Sequence, residues 1–204
     1  MRTQLIILLV VSFTIRYTKA QDISMLESAF AQSYTFENEK NYSDAIDAML
    51  KVYDEKKYEV NLRLAWLHFE SKKYAESVNY YKKAISLKPN SIEAKLGIAN
   101  PLYSQGSLDA LVDVYNDILK IDPNQVTVNY RLGLIFYNRS KFSEAKKYFE
   151  KYLELYPFDY DAVSINAWNN LKLGNKIIAK ELFSRALLLY PKNAESLEGL
   201  NLCK

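Results

Sequence analysis

The 204-residue chain is 49% hydrophobic and 14% aromatic, with only five glycines and five prolines, a composition that supports a packed and mostly helical core over disorder. Its formal charge of +3 resides in the first twenty residues, which hold Arg2, Arg16 and Lys19 and no acid, so the remainder sets 24 basic against 24 acidic side chains. A neutral remainder without a Lys/Arg cluster gives no support for nucleic acid as a partner.

The first predicted element is MRTQLIILLVVSFTIRYTKA, with a short basic start, an apolar run from Leu5 to Ile15 and a polar end at Thr18-Lys19-Ala20. This is the pattern of a secretory signal peptide, with cleavage expected after Ala20 and Gln21 as the mature start. The apolar run is too short to cross a bilayer, which takes about 20 residues. Arg16 and Lys19 lie close to the cut, which leaves open an uncleaved segment that serves as an anchor. Export places the chain in the periplasm or outside the cell, and no membrane span is expected once the signal is removed. Cys203 is the single cysteine. An intramolecular disulfide is therefore excluded despite the oxidising destination, and the position of Cys203 next to the chain end reads as a frayed tail.

Beyond the signal, Pro89, Pro123, Pro157 and Pro191 recur every 34 residues, a spacing that marks stacked repeats. With the prolines aligned, Ala65, Ala99, Gly133 and Ala167 form a column of small residues eight places into each unit. Tyr81, Tyr115, Phe149 and Phe183 form an aromatic column further on, and Ser77, Leu111, Ala145 and Ala179 share a place between the two. One helical hairpin cannot bury its own apolar face, so each must stack on the next, with small side chains where the axes approach closely. Leu111, Ile118 and Tyr152 break the small-residue pattern, and there the stacking is expected to open.

The best unit, VTVNYRLGLIFYNRSKFSEAKKYFEKYLELYP (126–157), carries Leu132-Gly133, Phe136, Phe142, Ala145, Phe149 and Pro157. In these residues the chain resembles the tetratricopeptide repeat (TPR) family, and the resemblance covers nearly all of the chain after the signal. It implies an all-α, right-handed α-solenoid of about five helix-turn-helix repeats, at about 26–57, 58–91, 92–125, 126–159 and 160–193. A short cap over 194–204 follows, with Leu197, Leu200 and Leu202 expected on its packed face, so the TPR domain occupies 21–204. The first repeat is degenerate: Tyr42 and Ala45 precede their counterparts Tyr74 and Ser77 by 32 residues rather than 34. The short cap leaves the C-terminal end as a candidate surface for self-association.

No catalytic constellation is visible, and no cofactor is called for. The single histidine, His68, falls at a packing place and lacks an orienting partner for acid–base work. Clustered metal ligands and a phosphate-binding glycine loop are absent, and Gly106 and Gly174 fall in the turns between paired helices. Asn41-Tyr42-Ser43 and Asn138-Arg139-Ser140 match the N-glycosylation triplet, a pattern short enough to arise by chance.

The resemblance places the binding groove on the first helix of each repeat. Carried over residue by residue, it implies Glu59, Leu62, Trp66 and Phe69 in the second repeat, and Glu93, Leu96, Asn100 and Tyr103 in the third. The fourth supplies Tyr130, Leu134, Tyr137 and Asn138, the fifth Trp168, and the degenerate first Phe30 and Tyr34. The basic and amide residues by which some TPR grooves hold a C-terminal carboxylate are not reproduced. Aromatic side chains dominate instead, as they do in interaction hot spots, so a protein or peptide partner is the expected ligand. Carbohydrate stacked on Trp and Tyr, packing of the same rings between helices, and a structural homo-oligomer remain alternatives.

Pro101, inside the first helix of the third repeat, has no amide hydrogen to give to the carbonyl of Gly97. A kinked helix continuing through Pro101 is expected, giving a bent groove wall with that acceptor beside Asn100 and Tyr103 and open to water or to a ligand.

Overall fold

The computed structural model describes residues 22–204, so the signal-like segment over 1–20 lies outside the described residues. All regular structure among these is helical: α1 (22–38), α2 (Tyr42–Leu50), α3 (Tyr58–Glu70), α4 (Tyr74–Leu87), α5 (Ile92–Ser104), α6 (Leu108–Ile121), α7 (Val126–Asn138), α8 (Phe142–Leu155), α9 (Tyr160–Lys172), α10 (Lys176–Leu189) and α11 (Ala194–Leu202). No helix among them is long and apolar enough to cross a membrane. The chain divides between Ser107 and Leu108 into two compact units.

Four helix starts carry the same side-chain cap. Asn41, Ser91, Asp159 and Asn193 each accept from the amide three residues on, which satisfies a donor the first turn leaves without a helical partner. Asn41 also donates its Nδ2 to Asp44 at 2.7 Å, so the first glycosylation-like triplet has a local structural use.

Helix ends obey a second rule. Lys40, Lys72, Gly106, Ser140 and Gly174 all have positive φ, between 57° and 78°, each just past a first helix. The amide after each returns to a carbonyl five residues back, as Lys73 does to His68 at 2.8 Å and Ser107 to Leu102 at 2.9 Å. This is the Schellman closure. Glycine fills it at no steric cost at Gly106 and Gly174, whereas the two lysines and Ser140 hold a left-handed backbone that L residues resist.

In the first unit, Ala45, Ile46, Met49, Val60, Leu64 and Leu67 make a core that Leu26 and Phe30 of α1 join. Tyr81 of α4 is buried and lies against Gly97 of α5, where a Cβ would stand 2.3 Å from the ring. In the second unit Phe149 lies on Gly133, and Phe183 on Gly199, equally closely. The aromatic column is thus seated on backbone. At the α6–α7 junction the residue in the place of Gly97 and Gly199 is Arg131, which donates to the Tyr115 hydroxyl at 3.0 Å. This junction is sparser than α4–α5, α8–α9 or α10–α11. Leu111 and Ile118, the bulky departures on α6, are fully buried there.

Two expectations are corrected at the C-terminus. Leu197 and Leu202 are exposed, and α11 packs instead through Ser196, Gly199, Leu200 and Cys203, because Gly199 has to lie under the Phe183 ring. Cys203 is no frayed residue: it is buried in the Phe183 core and its thiol donates to the Gly199 carbonyl at 3.2 Å.

Candidate functional site

Among the described residues no group of three or more His, Cys, Asp or Glu side chains is placed to hold a metal ion. His68 is buried and stacked on Tyr80 with ring centroids 5.2 Å apart. Burial holds its imidazole below the ordinary value, helped by Lys73 and opposed by Glu76.

The first unit contains a concavity of about 790 Å³ on the first-helix face. Helical spacing assembles it: Glu59, Leu62, Arg63 and Trp66 come from one face of α3, and Glu93, Leu96, Gly97 and Asn100 from one face of α5. Phe30 and Tyr34 of α1 close one side. The bare backbone of Gly97 leaves room there for the Tyr81 ring to reach the lining.

At one end lies a charged anchor. Arg63, only 7% exposed, pairs through Nη1 with Glu37 at 2.6 Å, donates from Nε to Ser33 at 3.0 Å, and sits 3.9 Å over the Tyr34 ring. The other Glu37 oxygen accepts from the Trp66 indole. One carboxylate therefore orients both the buried cation and the tryptophan, and Trp66 keeps an exposed face beside Phe69, 5.9 Å away. At the other end Tyr58 hydrogen-bonds Ser91 at 2.7 Å and donates to Glu93 at 3.1 Å, while Lys88 pairs with Glu59 and lies over the Tyr58 ring. Burial raises the Tyr58 phenol above its usual range. The result is an aromatic basin with paired charges at both ends.

Of the predicted groove residues, Glu59, Leu62, Trp66 and Asn100 meet in this basin, as do Phe30, Tyr34, Glu93 and Leu96. Phe69 backs onto Trp66 and Tyr74, and Tyr103 stands exposed outside the lining. Of the residues predicted in the second unit, the three aromatic ones lie against neighbouring rings. Tyr130 packs on Phe149 and Tyr152, Tyr137 lies edge-on to Phe142, and Trp168 edge-on to Phe183. Leu134 is half-buried and Asn138 exposed. Burial and a hydrogen bond to Asp159 push the Tyr152 phenol up to about 12. Sequence reasoning missed Arg63, Glu37, Tyr58 and Tyr81; an arginine on the same α3 face as Leu62 and Trp66 was the available signal.

The tetratricopeptide repeat model matches residues 58–91, and a second model of the same description matches 126–159. These two stretches are tetratricopeptide repeats. The chain is 25% identical over 134 residues to the Protein CTR9 homolog of Arabidopsis thaliana, covering 65% of this chain and 12% of that protein. It is 27% identical over 140 residues to the BBSome complex member BBS4 of Xenopus tropicalis, covering 69% of this chain and 27% of that one. A TPR repeat-containing protein of Methanocaldococcus jannaschii is 26% identical over 104 residues, covering 50% of this chain and 18% of its own length. The chain thus spans roughly an eighth to a quarter of the curated relatives it matches.

Among solved structures, MamA superposes with a TM-score of 0.72 at 19% identity, covering 84% of this chain and 94% of MamA. A TPR protein from Parabacteroides merdae gives 0.73 at 19% identity, covering 88% and 72%. These likenesses establish the TPR fold.

Proposed function

We propose that this chain is an exported scaffold whose first-unit basin receives an extended or helical segment of a protein partner. The observation that supports the reading is the basin itself: Trp66 is oriented by Glu37 yet keeps an exposed face beside Leu62, Tyr34 and Phe30. A large ring held in advance loses little conformational freedom on binding, the property of an interaction hot spot. TPR proteins are in general non-enzymatic scaffolds, and one relative is by name a member of a complex, in keeping with an assembly role.

The test is selection of peptides from a display library on the purified chain, followed by calorimetric titration of a recovered peptide against Trp66→Ala and Leu62→Asp variants. A loss of about thirtyfold or more is expected for Trp66→Ala, the range of a hot-spot truncation, with helix content unchanged. Undiminished affinity in both variants excludes the basin. Binding of glycans in the absence of any peptide ligand favours the carbohydrate alternative instead.

The export element of the proposal rests on the pattern of the first twenty residues. N-terminal sequencing of the protein recovered from an envelope fraction should begin at Gln21, whereas recovery of an uncut chain in the cytoplasmic fraction refutes export.

A further inference from the structure

Helix α10 carries a seam, apolar at both ends and polar between them, that nothing in its own unit covers. Ile177 and Leu188 are each 79% exposed, and eleven residues bring them to the same face, about 16 Å apart along the axis. Between them on that face stand Glu181 and Ser184, both exposed, so the spacing runs four, three, four, as in the contact line of two packed helices. The Ser184 hydroxyl is spent on the Lys180 carbonyl at 2.8 Å, which leaves a small neutral surface at the middle of the seam.

Beside the C-terminal half of this seam lies a shallow hollow of about 610 Å³, bordered by Phe158, Lys180, Glu181, Ser184, Arg185 and Leu188. Phe158, 74% exposed, forms its outer wall with the Arg185 guanidinium 5.5 Å from the ring centre. One end of the helix therefore presents an aliphatic knob, Ile177, and the other an open hollow in which Phe158 and Leu188 supply the apolar surface.

We infer that α10 is the contact surface for a second copy of this chain, packed antiparallel about a twofold axis near Glu181 and Ser184. A twofold contact must match a surface to itself, and this surface does so. In that register Ile177 of one copy reaches the partner's Leu188 and enters the hollow beside the partner's Phe158, and the same contact is made a second time. The small Ser184 lets the helices approach at the axis. Glu181 comes opposite the turn holding the partner's Arg185, so acid and base pair across the axis twice. The contact lies on the second helix of its hairpin, and it is independent of the basin in the first unit.

Sedimentation velocity on the purified chain over a range of concentrations is the first measurement, with dimerisation expected. Ile177→Lys, a change at a surface position, is expected to weaken the dimer on the order of a hundredfold, since a twofold contact loses the same burial twice, with circular dichroism unchanged. Register is tested in a Cys203→Ala background: Ile177→Cys and Leu188→Cys chains should form a disulfide when mixed, and neither should do so alone, because only opposed residues come within bridging distance. A chain that stays monomeric throughout overturns the proposal. So does a dimer that is indifferent to Ile177→Lys and does not cross-link in the mixture.

Discussion

Arg131 on α7 donates to the hydroxyl of Tyr115 on α6 at 3.0 Å, in the repeat position where Gly97 and Gly199 let an aromatic ring rest directly on the backbone. A polar bridge here takes the place of close packing, and the sparser α6–α7 contact accompanies it. A double-mutant cycle between Arg131→Ala and Tyr115→Phe should give a coupling energy of about 0.5–1.5 kcal/mol, read by urea unfolding. No coupling would leave the bridge without energetic weight.

The reverse substitution tests the close contact. Gly97→Ala puts a methyl group into the Tyr81 ring, so the buried ring or the helix must shift to admit it. A loss of roughly 1–3 kcal/mol is expected from overpacking. Gly106→Ala should be unfavourable for a different reason: there is open space around that glycine, and the cost, about 1 kcal/mol, comes from its left-handed backbone.

The turns between paired helices predict stabilising changes. Lys72→Gly and Ser140→Gly relieve a non-glycine residue of positive φ, and each should add about 1 kcal/mol. Thermal unfolding should show the gain, and a decrease in melting temperature would mean that the side chains contribute more than the backbone strain costs.

Glu37 and Arg63 should respond unequally to substitution. Glu37→Gln leaves a guanidinium that is 7% exposed without its counter-charge and loosens Trp66, so a loss of roughly 2–3 kcal/mol and a red-shifted tryptophan emission are expected. Arg63→Met removes the cation together with its need for a partner, and should cost less than Glu37→Gln. Equal losses would contradict this asymmetry.

His68 makes stability depend on pH. Its folded-state pKa is held below the ordinary 6.5, first by burial, so the unfolded chain binds the proton more readily. The neutral side chain contributes its full stability above pH 6.5, and that contribution is lost as pH falls from there through the depressed folded value. His68→Phe should flatten the slope of stability against pH in this acidic window. An unchanged slope would assign it to other groups.

The period was legible because repetition multiplies a weak local signal: one proline says little, whereas four at equal spacing fix the register of every helix after α3. The basin was half legible. Trp66, Leu62 and Asn100 follow from the repeat register together with what the family resemblance implies, but Arg63 is explained only by Glu37 and Ser33 on α1, a long-range pairing that no local pattern encodes. The aromatic residues of α7 and α9 are harder to read: a first-helix ring can face outward or turn onto the next helix, and Tyr130, Tyr137 and Trp168 are half-buried, each with one side against a neighbouring ring. The seam on α10 went unread because Ile177 and Leu188 look like core residues until their exposure is measured.

The left-handed residues at 40, 72, 106, 140 and 174 also say where the chain tolerates changes in length. Each inner turn is closed by hydrogen bonds that count residues, so an insertion there would break the closure. The one irregular interval, from Lys40 to Lys72, coincides with a shorter α2 and a longer link from Lys51 to Lys57. Gains and losses of residues are thus confined to the connection from one hairpin to the next, and a loop grafted there would leave the stack in phase.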